Sequence, residues 1–282
     1  MKHDTVLVSV YIVTMNRLNL FQRALESVLC QDYNQLEIII VDNGSSDGTV
    51  EYIRSLADFI NGVRIVSFLL PENKGACYAR NYAIKNANGH FITGLDDDDY
   101  FTPNRISAFM SNYDSKYAFI FADDIFFKSD VERYYKKKRE VTYSQLLSLN
   151  CVGNQIFVDR DRLIAAGLFD TTLKASQDYD MWLRVSEKYG VAKNICIATQ
   201  YVDNNNHGRI TNGRNKFSGY YRCYQKYKKN MTRDNRKVQL QVLMLASGKP
   251  IPFSKACLLF SMLELKHSLK VIVKSISKYI KF

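Results

Sequence analysis

The sequence predicts an α/β fold: a Rossmann-like, mostly parallel sheet with helices on both faces, followed by a basic helical segment at the C-terminal end. Three observations carry this expectation. Apolar runs of strand length alternate with helically periodic segments, the spacing of parallel strands joined by crossover helices. The runs are nearly continuous in apolar residues, as strands buried on both faces must be. Polar or acidic loops follow the first, second and fourth of them, at the sheet edge where open α/β folds bind ligands.

In chain order, residues 6–13 form the first strand. Asn16 is placed to cap the next helix, in which Leu18, Phe21, Leu25, Val28 and Leu29 recur at helical spacing. Residues 36–41 form a second strand, ending in Asp42-Asn43-Gly44-Ser45-Ser46-Asp47-Gly48. That loop is all turn chemistry, with Asp47 placed to cap a helix over residues 49–57. Residues 63–69 make the third strand, and Asn73-Lys74-Gly75 leads into a helix carrying Ala79, Arg80, Asn81, Ala83 and Ile84. The fourth strand delivers Leu95-Asp96-Asp97-Asp98-Asp99. Residues 119–122 read as a further strand whose Asp123-Asp124 is a polar end, with ligand contact as the alternative. Residues 133–139 read as a solvated loop, and residues 176–183 as a helix start with Asp180 and Arg184 as a surface ion pair.

Four consecutive carboxylates repel one another, so a fold that keeps them needs a compensating cation. Hard oxygen ligands at a strand end suit Mg²⁺ or Mn²⁺, held by one or two carboxylates together with substrate phosphates. No G-x-G-x-x-G follows the first strand and no Walker pattern is present, which leaves a mononucleotide type of site.

Composition narrows the class further. A chain of 282 residues, 46% hydrophobic and 24% charged, makes one large globular domain or two small ones. Nothing resembles a signal peptide, and no apolar run approaches the ~20 residues of a membrane span. Cys30, Cys77, Cys151, Cys196, Cys223 and Cys257 form no C-x-x-C pair, which points to reduced thiols in a cytosolic protein and away from zinc. The net charge of +11 is unevenly spread. Residues 1–212 hold 23 Lys and Arg against 26 Asp and Glu, whereas residues 213–282 hold 16 against 2. Such asymmetry implies an anionic partner surface, nucleic acid or membrane lipid.

The ordered motifs resemble a known family. Val8-Ser9-Val10 through Asn16-Arg17, Ile40 through Thr49, Asn73-Lys74-Gly75 with Ala79-Arg80-Asn81, and Leu95 through Asp99 with Pro103 are similar to inverting glycosyltransferases of family 2. The likeness continues in Gly167-Leu168-Phe169-Asp170 and Ser176 through Arg184. It implies the GT-A fold, with residues 1–99 as a nucleotide-sugar-binding half, 100–215 as an acceptor-binding and catalytic half, and 216–282 as a tail.

By the same resemblance, Val13, Thr14, Asn16, Asp42 and Asn43 hold the nucleotide base, usually uracil. Asp96 and Asp97 serve the donor, with Asp96 at the ribose; Asp98 ligates Mn²⁺ or Mg²⁺, and Asp178 is the catalytic base. Met15, where the family often has an aromatic, and Asn43, where it often has Asp, depart from the pattern. Lys74 and Arg80 are either diphosphate partners or ordinary helix-surface cations. His207 and Arg209 lie in a polar loop that is either a lid over diphosphate and metal or plain surface.

After Gly219 the chain turns aromatic and basic, and Lys266, Lys270, Lys274 and Lys278 recur opposite Leu265, Leu269, Ile272, Val273, Ile276 and Ile280. This is the pattern of an interfacial anchor on an anionic membrane, formed by residues 255–282, with packing on the main domain as the alternative. The expected protein is therefore a cytoplasmic enzyme peripheral on the inner membrane face. It would move a hexose or N-acetylhexosamine from a UDP-sugar to a lipid-linked saccharide in bacterial surface polysaccharide (O-antigen, lipopolysaccharide or capsule) synthesis, with no nucleic acid partner. The alternatives are a processive polysaccharide synthase, which usually carries Gln-x-x-Arg-Trp, or a non-enzymatic binder of nucleic acid or another anionic surface.

Overall fold

The protein, seen in a computed structural model, is described for residues 6–129, 131–205 and 214–276. The first part runs β1 (Val8–Thr14), α1 (Leu18–Leu29), β2 (Leu36–Asp42), α2 (Thr49–Ser55), β3 (Phe59–Ile60), β4 (Val63–Leu69), α3 (Ala76–Asn86) and β5 (Phe91–Asp96). Then come β6 (Tyr100–Phe101), α4 (Arg105–Asn112), β7 (Ile120–Lys128), β8 (Val131–Tyr135), β9 (Glu140–Val141), α5 (Tyr143–Ser148), β10 (Phe157–Asp159), α6 (Arg160–Ala165), α7 (Gln177–Tyr189) and β11 (Ala192–Asp203). Four helices close the described chain: α8 (Arg214–Tyr227), α9 (Arg233–Ala246), α10 (Phe253–Leu258) and α11 (Leu265–Ile276).

One sheet runs in the order β3-β4-β2-β1-β5-β10-β7-β11-β6, with β8 beside β7 and β9 beside β11. The block β4-β2-β1-β5 is parallel, β10 is antiparallel to β5 and β7, and β7 pairs in parallel with β11. Alternate residues of the central strands serve two cores. Val10, Ile12, Ile38 and Ile40 face α1, α2 and α4, packed by Phe21, Leu25, Ile53 and Phe109. Tyr11, Ile39 and Val41 face the other layer with Ala79, Ala83, Trp182 and Val185 of α3 and α7. Burial on both faces is why these strands read as unbroken apolar runs. The expected mostly parallel sheet with helices on both faces is the observed architecture.

Several local expectations are corrected. Asn16 does not cap α1: it sits at φ 53° and its side chain accepts from Ser46 N–H. The cap comes from across the turn, because Asp47 accepts from Leu18 N–H and from Thr49 N–H, so one carboxylate serves the first turns of α1 and α2. Helix α2 ends at Ser55, two residues earlier than expected. Residues 133–135, expected in a solvated loop, belong to β8, which pairs with β7, and the Lys137 side chain is buried with its ammonium 2.7 Å from Asp124. Asp123 and Asp124 lie within β7 instead of ending it, and both are buried. Asp123 accepts from Asn194 Nδ2 and Lys137 N–H.

Asp180 is the largest correction. The i,i+4 pair with Arg184 forms at 2.8 Å, but Asp180 is fully buried and also accepts from Tyr227 Oη and pairs with Lys226 of α8. It fastens α8 to α7. We expect Asp180→Ala to cost about 3–5 kcal/mol, the loss typical of a broken buried ion pair. A helix-surface pair would cost under about 1 kcal/mol. Urea unfolding followed by circular dichroism separates the two.

Candidate active site

The site forms where β1, β2 and β5 end. Parallel pairing sets Thr14 against Asp42 and Val13 against Asp96, so three loops emerge side by side. Asp42 is fully buried; Oδ2 accepts from Gly44 N–H and Ser45 N–H, while Oδ1 is buried without a hydrogen-bond partner. Asn43 joins this loop to the next: Oδ1 accepts from Lys74 N–H and Nδ2 donates to Asn73 Oδ1. Gly44 (φ 82°) lies so close to Glu72 and Asn73 that a Cβ would fall 2.7 Å from their backbones.

The acidic run divides its tasks. Thr14 Oγ1 donates to Asp97 Oδ2, and Arg17 Nη1 reaches Asp97 at 2.9 Å and Asp98 at 3.1 Å. Burial pushes Asp97 up to about 6; Arg17 opposes that shift and Asp98 adds to it. Asp99, buried, accepts from Asn154, Gln200 and Asp203 N–H. Asp96 accepts from Asn154, Gln155 and Arg80. Ligand oxygens of Asp96, Asp98 and Asp99 all lie within 4.8 Å of one another. A set made only of carboxylate oxygen fits a hard divalent cation.

Arg80 ties this cluster to Asp178. From α3 its Nη2 bonds Asp96 at 2.8 Å, and its Nη1 bonds Asp178 at 3.2 Å and Gln177 at 3.1 Å. The guanidinium lies 5.5 Å from the centre of the Phe169 ring, and the adjoining Asn81 exchanges two hydrogen bonds with the Phe169 backbone. Asp178, in the first turn of α7, keeps 26% of its side chain exposed. Burial pushes its carboxyl up to about 6; Arg80 lowers it and Asp96 raises it.

Thus hydrogen bonds and ion pairs join Thr14, Arg17, Asp97 and Asp98 in one network and Asp96, Arg80 and Asp178 in another, and the two meet where ligand oxygens of Asp96, Asp98 and Asp99 lie within 4.8 Å of one another. Lys74 contributes its backbone N–H to Asn43, while its ammonium lies 3.6 Å from Glu72 and over the Tyr78 ring. His207 and Arg209 lie outside the described residues. Sequence reasoning missed Asp99, Asn154, Gln155 and Gln200, and assigned Arg17 no role. Scattered amides carry no local motif, so no sequence signal marked them. An open cleft of about 650 Å³ beside the β7–β8 hairpin holds none of these carboxylates.

Comparison with known proteins identifies the family and the fold. The model of the family "Glycosyl transferase family 2" matches residues 9–170. Escherichia coli (strain K12) WcaA, which bears the name of a colanic acid biosynthesis glycosyl transferase, is 39% identical over 255 residues, covering 86% of this chain and 89% of that protein. Escherichia coli WfaP, named UDP-Glc:alpha-D-GlcNAc-diphosphoundecaprenol beta-1,3-glucosyltransferase, is 29% identical over 69% of this chain and 76% of its own. Staphylococcus aureus TarS 1-349 in complex with UDP-GlcNAc superposes with TM-score 0.64 at 16% identity, over 97% of this chain and 89% of that one. Pyrobaculum calidifontis PcManGT in complex with GDP-Man and Mn²⁺ gives TM-score 0.63 at 17% identity, over 97% and 87%. The fold is GT-A.

Removing the bridging charge tests the electrostatics. In an Arg80→Met chain Asp178 stays partly buried and loses its counter-charge, so its raised pKa rises further. Between the ordinary carboxylate range and that raised value the folded chain holds a proton that the unfolded chain has released, so stability falls as pH rises. We expect the melting temperature of Arg80→Met, relative to the unaltered chain, to drop from about pH 5 to about pH 8. Parallel profiles would show that Arg80 does not balance Asp178.

Proposed function

The chain belongs to glycosyl transferase family 2, and from that premise we propose that it is a metal-dependent inverting glycosyltransferase. Its donor is a nucleotide diphosphate sugar, UDP-linked, and its acceptor a lipid-linked saccharide in bacterial surface polysaccharide synthesis. The observation that carries this reading is the Asp96–Arg80–Asp178 bridge, which holds an acidic, metal-fitting cluster and a separate raised-pKa carboxylate in one fixed relation. The names of WcaA and WfaP and the nucleotide sugars bound in TarS and PcManGT support the substrate classes.

Each residue has a task in this reading. Asp42 Oδ1, buried and unpartnered, is the acceptor offered to a base N–H, and Asn43 holds the neighbouring loop in place. Asp96, Asp98 and Asp99 supply the oxygen donors for a cation, with Asp98 the principal ligand. The chemistry such a cation supplies when bound is neutralisation of charge on the departing diphosphate. Asp178 takes the proton of the attacking hydroxyl while that oxygen bonds the anomeric carbon and the bond to the nucleotide breaks on the opposite face. One base suffices for such a displacement, unlike the paired carboxylates of most glycosidases. A carboxyl raised to about 6 is well suited to accept a proton near neutrality.

The C-terminal helices support attachment to a membrane. Helix α11 packs on α9 through Ser268, Val271 and Ser275, with Gln241 donating to Ser268. Its apolar row, Leu265, Leu269 and Val273, is exposed beside Lys266, Lys270 and Lys274, and Leu258 and Met262 are exposed nearby in sequence. An outward apolar row beside lysines suits the anionic leaflet that carries a lipid-linked acceptor. No helix among the described residues is long and apolar enough to cross a membrane.

Turnover assays with a panel of sugar nucleotides test the enzymatic reading. Asp98→Asn should abolish Mn²⁺- or Mg²⁺-dependent transfer in a folded protein, and full activity in EDTA would refute the metal assignment. Asp178→Asn should lower kcat by about 10²–10⁴ with donor KM nearly constant. Below about pH 6 the base is increasingly protonated, so kcat should fall roughly tenfold per pH unit in the unaltered enzyme and lack that limb in Asp178→Asn. Replacing Leu265, Leu269 and Val273 together by Ser should release the protein from phosphatidylglycerol vesicles in sedimentation. Equal binding would remove α11 from the membrane contact.

A further inference from the structure

Asp178 also lines a second space, a pocket of about 330 Å³ between the start of α7, the end of α5, and helices α8 and α9. That is the lower end of the range of small-molecule sites, roughly 300–1,000 Å³. Much of its wall is already engaged. Asn150 is spent on its own loop, accepting from Val152 and Gly153 N–H and donating to the Gly153 carbonyl. Tyr179 donates to the Leu146 carbonyl, and Gln239 donates to the carbonyls of Leu147 and Ser148 and to Tyr179 Oη.

Two groups differ. Ser176 Oγ is buried and has no hydrogen-bond partner among the described residues, on a residue held at φ 61°. A buried hydroxyl left in that condition marks a place where a ligand's own hydrogen-bonding group fits. Tyr220 Oη makes no hydrogen bond among the described residues, and Tyr220 is close enough to Asp178 to feel its charge. Close seating of α8 puts Tyr220 there: a Cβ on Gly219 would fall 2.5 Å from the Ala175 carbonyl oxygen, one residue before Ser176.

The pocket's charge and shape select its occupant. Among the described residues no lysine or arginine lines it and one carboxylate does, so a phosphate or uronate is disfavoured. Leu149, Val242 and the Tyr220 ring offer apolar surface of the kind that the C–H face of a sugar ring covers. Tyr220 and Val242 lie beyond residue 170, where the family model ends, and beyond Arg184, where the likeness of the sequence motifs ends, so these two walls belong to the C-terminal helices α8 and α9.

We propose that this pocket is the acceptor subsite, which takes one neutral pyranose ring of a saccharide. Val242 and the Tyr220 ring cover its apolar face, Ser176 Oγ bonds a ring hydroxyl, and a neighbouring hydroxyl is presented to Asp178. The assignment rests on Asp178 being the base, and the test separates the two ideas. Saturation-transfer NMR on the full chain, without donor or metal, uses methyl N-acetylglucosaminide, methyl glucoside and methyl glucuronide as probes. The two neutral glycosides should bind at least fivefold more tightly than the glucuronide, and Tyr220→Ala should weaken them at least fivefold, with Tyr220→Phe intermediate. Ser176→Ala should weaken the same probes while leaving the melting temperature unchanged or raised, because it removes a hydroxyl that has no partner in the free protein. Equal binding by all variants, preference for the glucuronide, or a Ser176→Ala chain that loses stability and keeps its affinity would overturn the proposal. Saccharide binding without any transfer would refute the transferase reading and leave the pocket standing. Transfer with no saccharide effect in these variants would do the reverse.

Discussion

The guanidinium of Arg80 is the interaction on which the site depends. It stands between Asp96, at the end of β5, and Asp178, at the start of α7, residues that no backbone pairing brings together. A buried arginine is tolerated only when its charge and its N–H groups are matched, and here two carboxylates and Gln177 Oε1 do so. The next residue, Asn81, trades hydrogen bonds with Phe169, so helix α3 fixes the position of the segment leading to α7 by two adjoining side chains. On the proposed reading, donor-side and acceptor-side residues are thereby held in one relation before any ligand arrives, which is what positioning for catalysis requires.

The sheet and the acidic cluster were legible in the sequence because both follow from local rules. A strand buried on two faces must be apolar throughout, and ligand loops follow strand ends, so residues 36–41 and Asp96 to Asp99 identify themselves. Asp180 was illegible for the opposite reason. Its i,i+4 spacing to Arg184 is the same on an exposed helix and on a buried one, and Tyr227, the partner that shows it is buried, lies 47 residues away. The same holds for Lys137 with Asp124 and for the amides of Asn154 and Gln200 that hold Asp99. Asn16 was misread because a residue just before a helix resembles a cap wherever it stands. Only the turn that brings Asp47 to Leu18 shows which side chain caps it.

The tail shows what periodicity conveys and where it stops. The repeat of Lys266, Lys270 and Lys274 identifies two faces of α11, and the side packed on the protein is a narrow third strip of Ser268, Val271 and Ser275. Val271 packs with Ile251 and Ala256, with Ile272 partly buried against them, and Leu265, Leu269 and Val273 are left outward. A hydrophobic pattern cannot tell whether apolar residues seek the domain or something else. Here one part of the apolar pattern, Val271 and Ile272, turns inward and another part turns outward.

Helix α9 then couples the two faces of the C-terminal region. Gln239 and Gln241 are two positions apart, so their side chains leave the helix on nearly opposite sides. Both are buried with their amides engaged, Gln239 to the carbonyls of Leu147 and Ser148 beside the pocket, Gln241 to Leu259 and Ser268 beneath α11. Rotating α9 would leave both amides unsatisfied, a loss on the order of 1–3 kcal/mol for each group. The rotational setting of α9 is therefore locked, and with it the relation between the outward apolar row of α11 and the pocket beside Asp178. A surface engaged by that row would hold the pocket at a fixed depth and angle through α9, so on the proposed reading the presentation of an acceptor to Asp178 would depend on how α9 is packed.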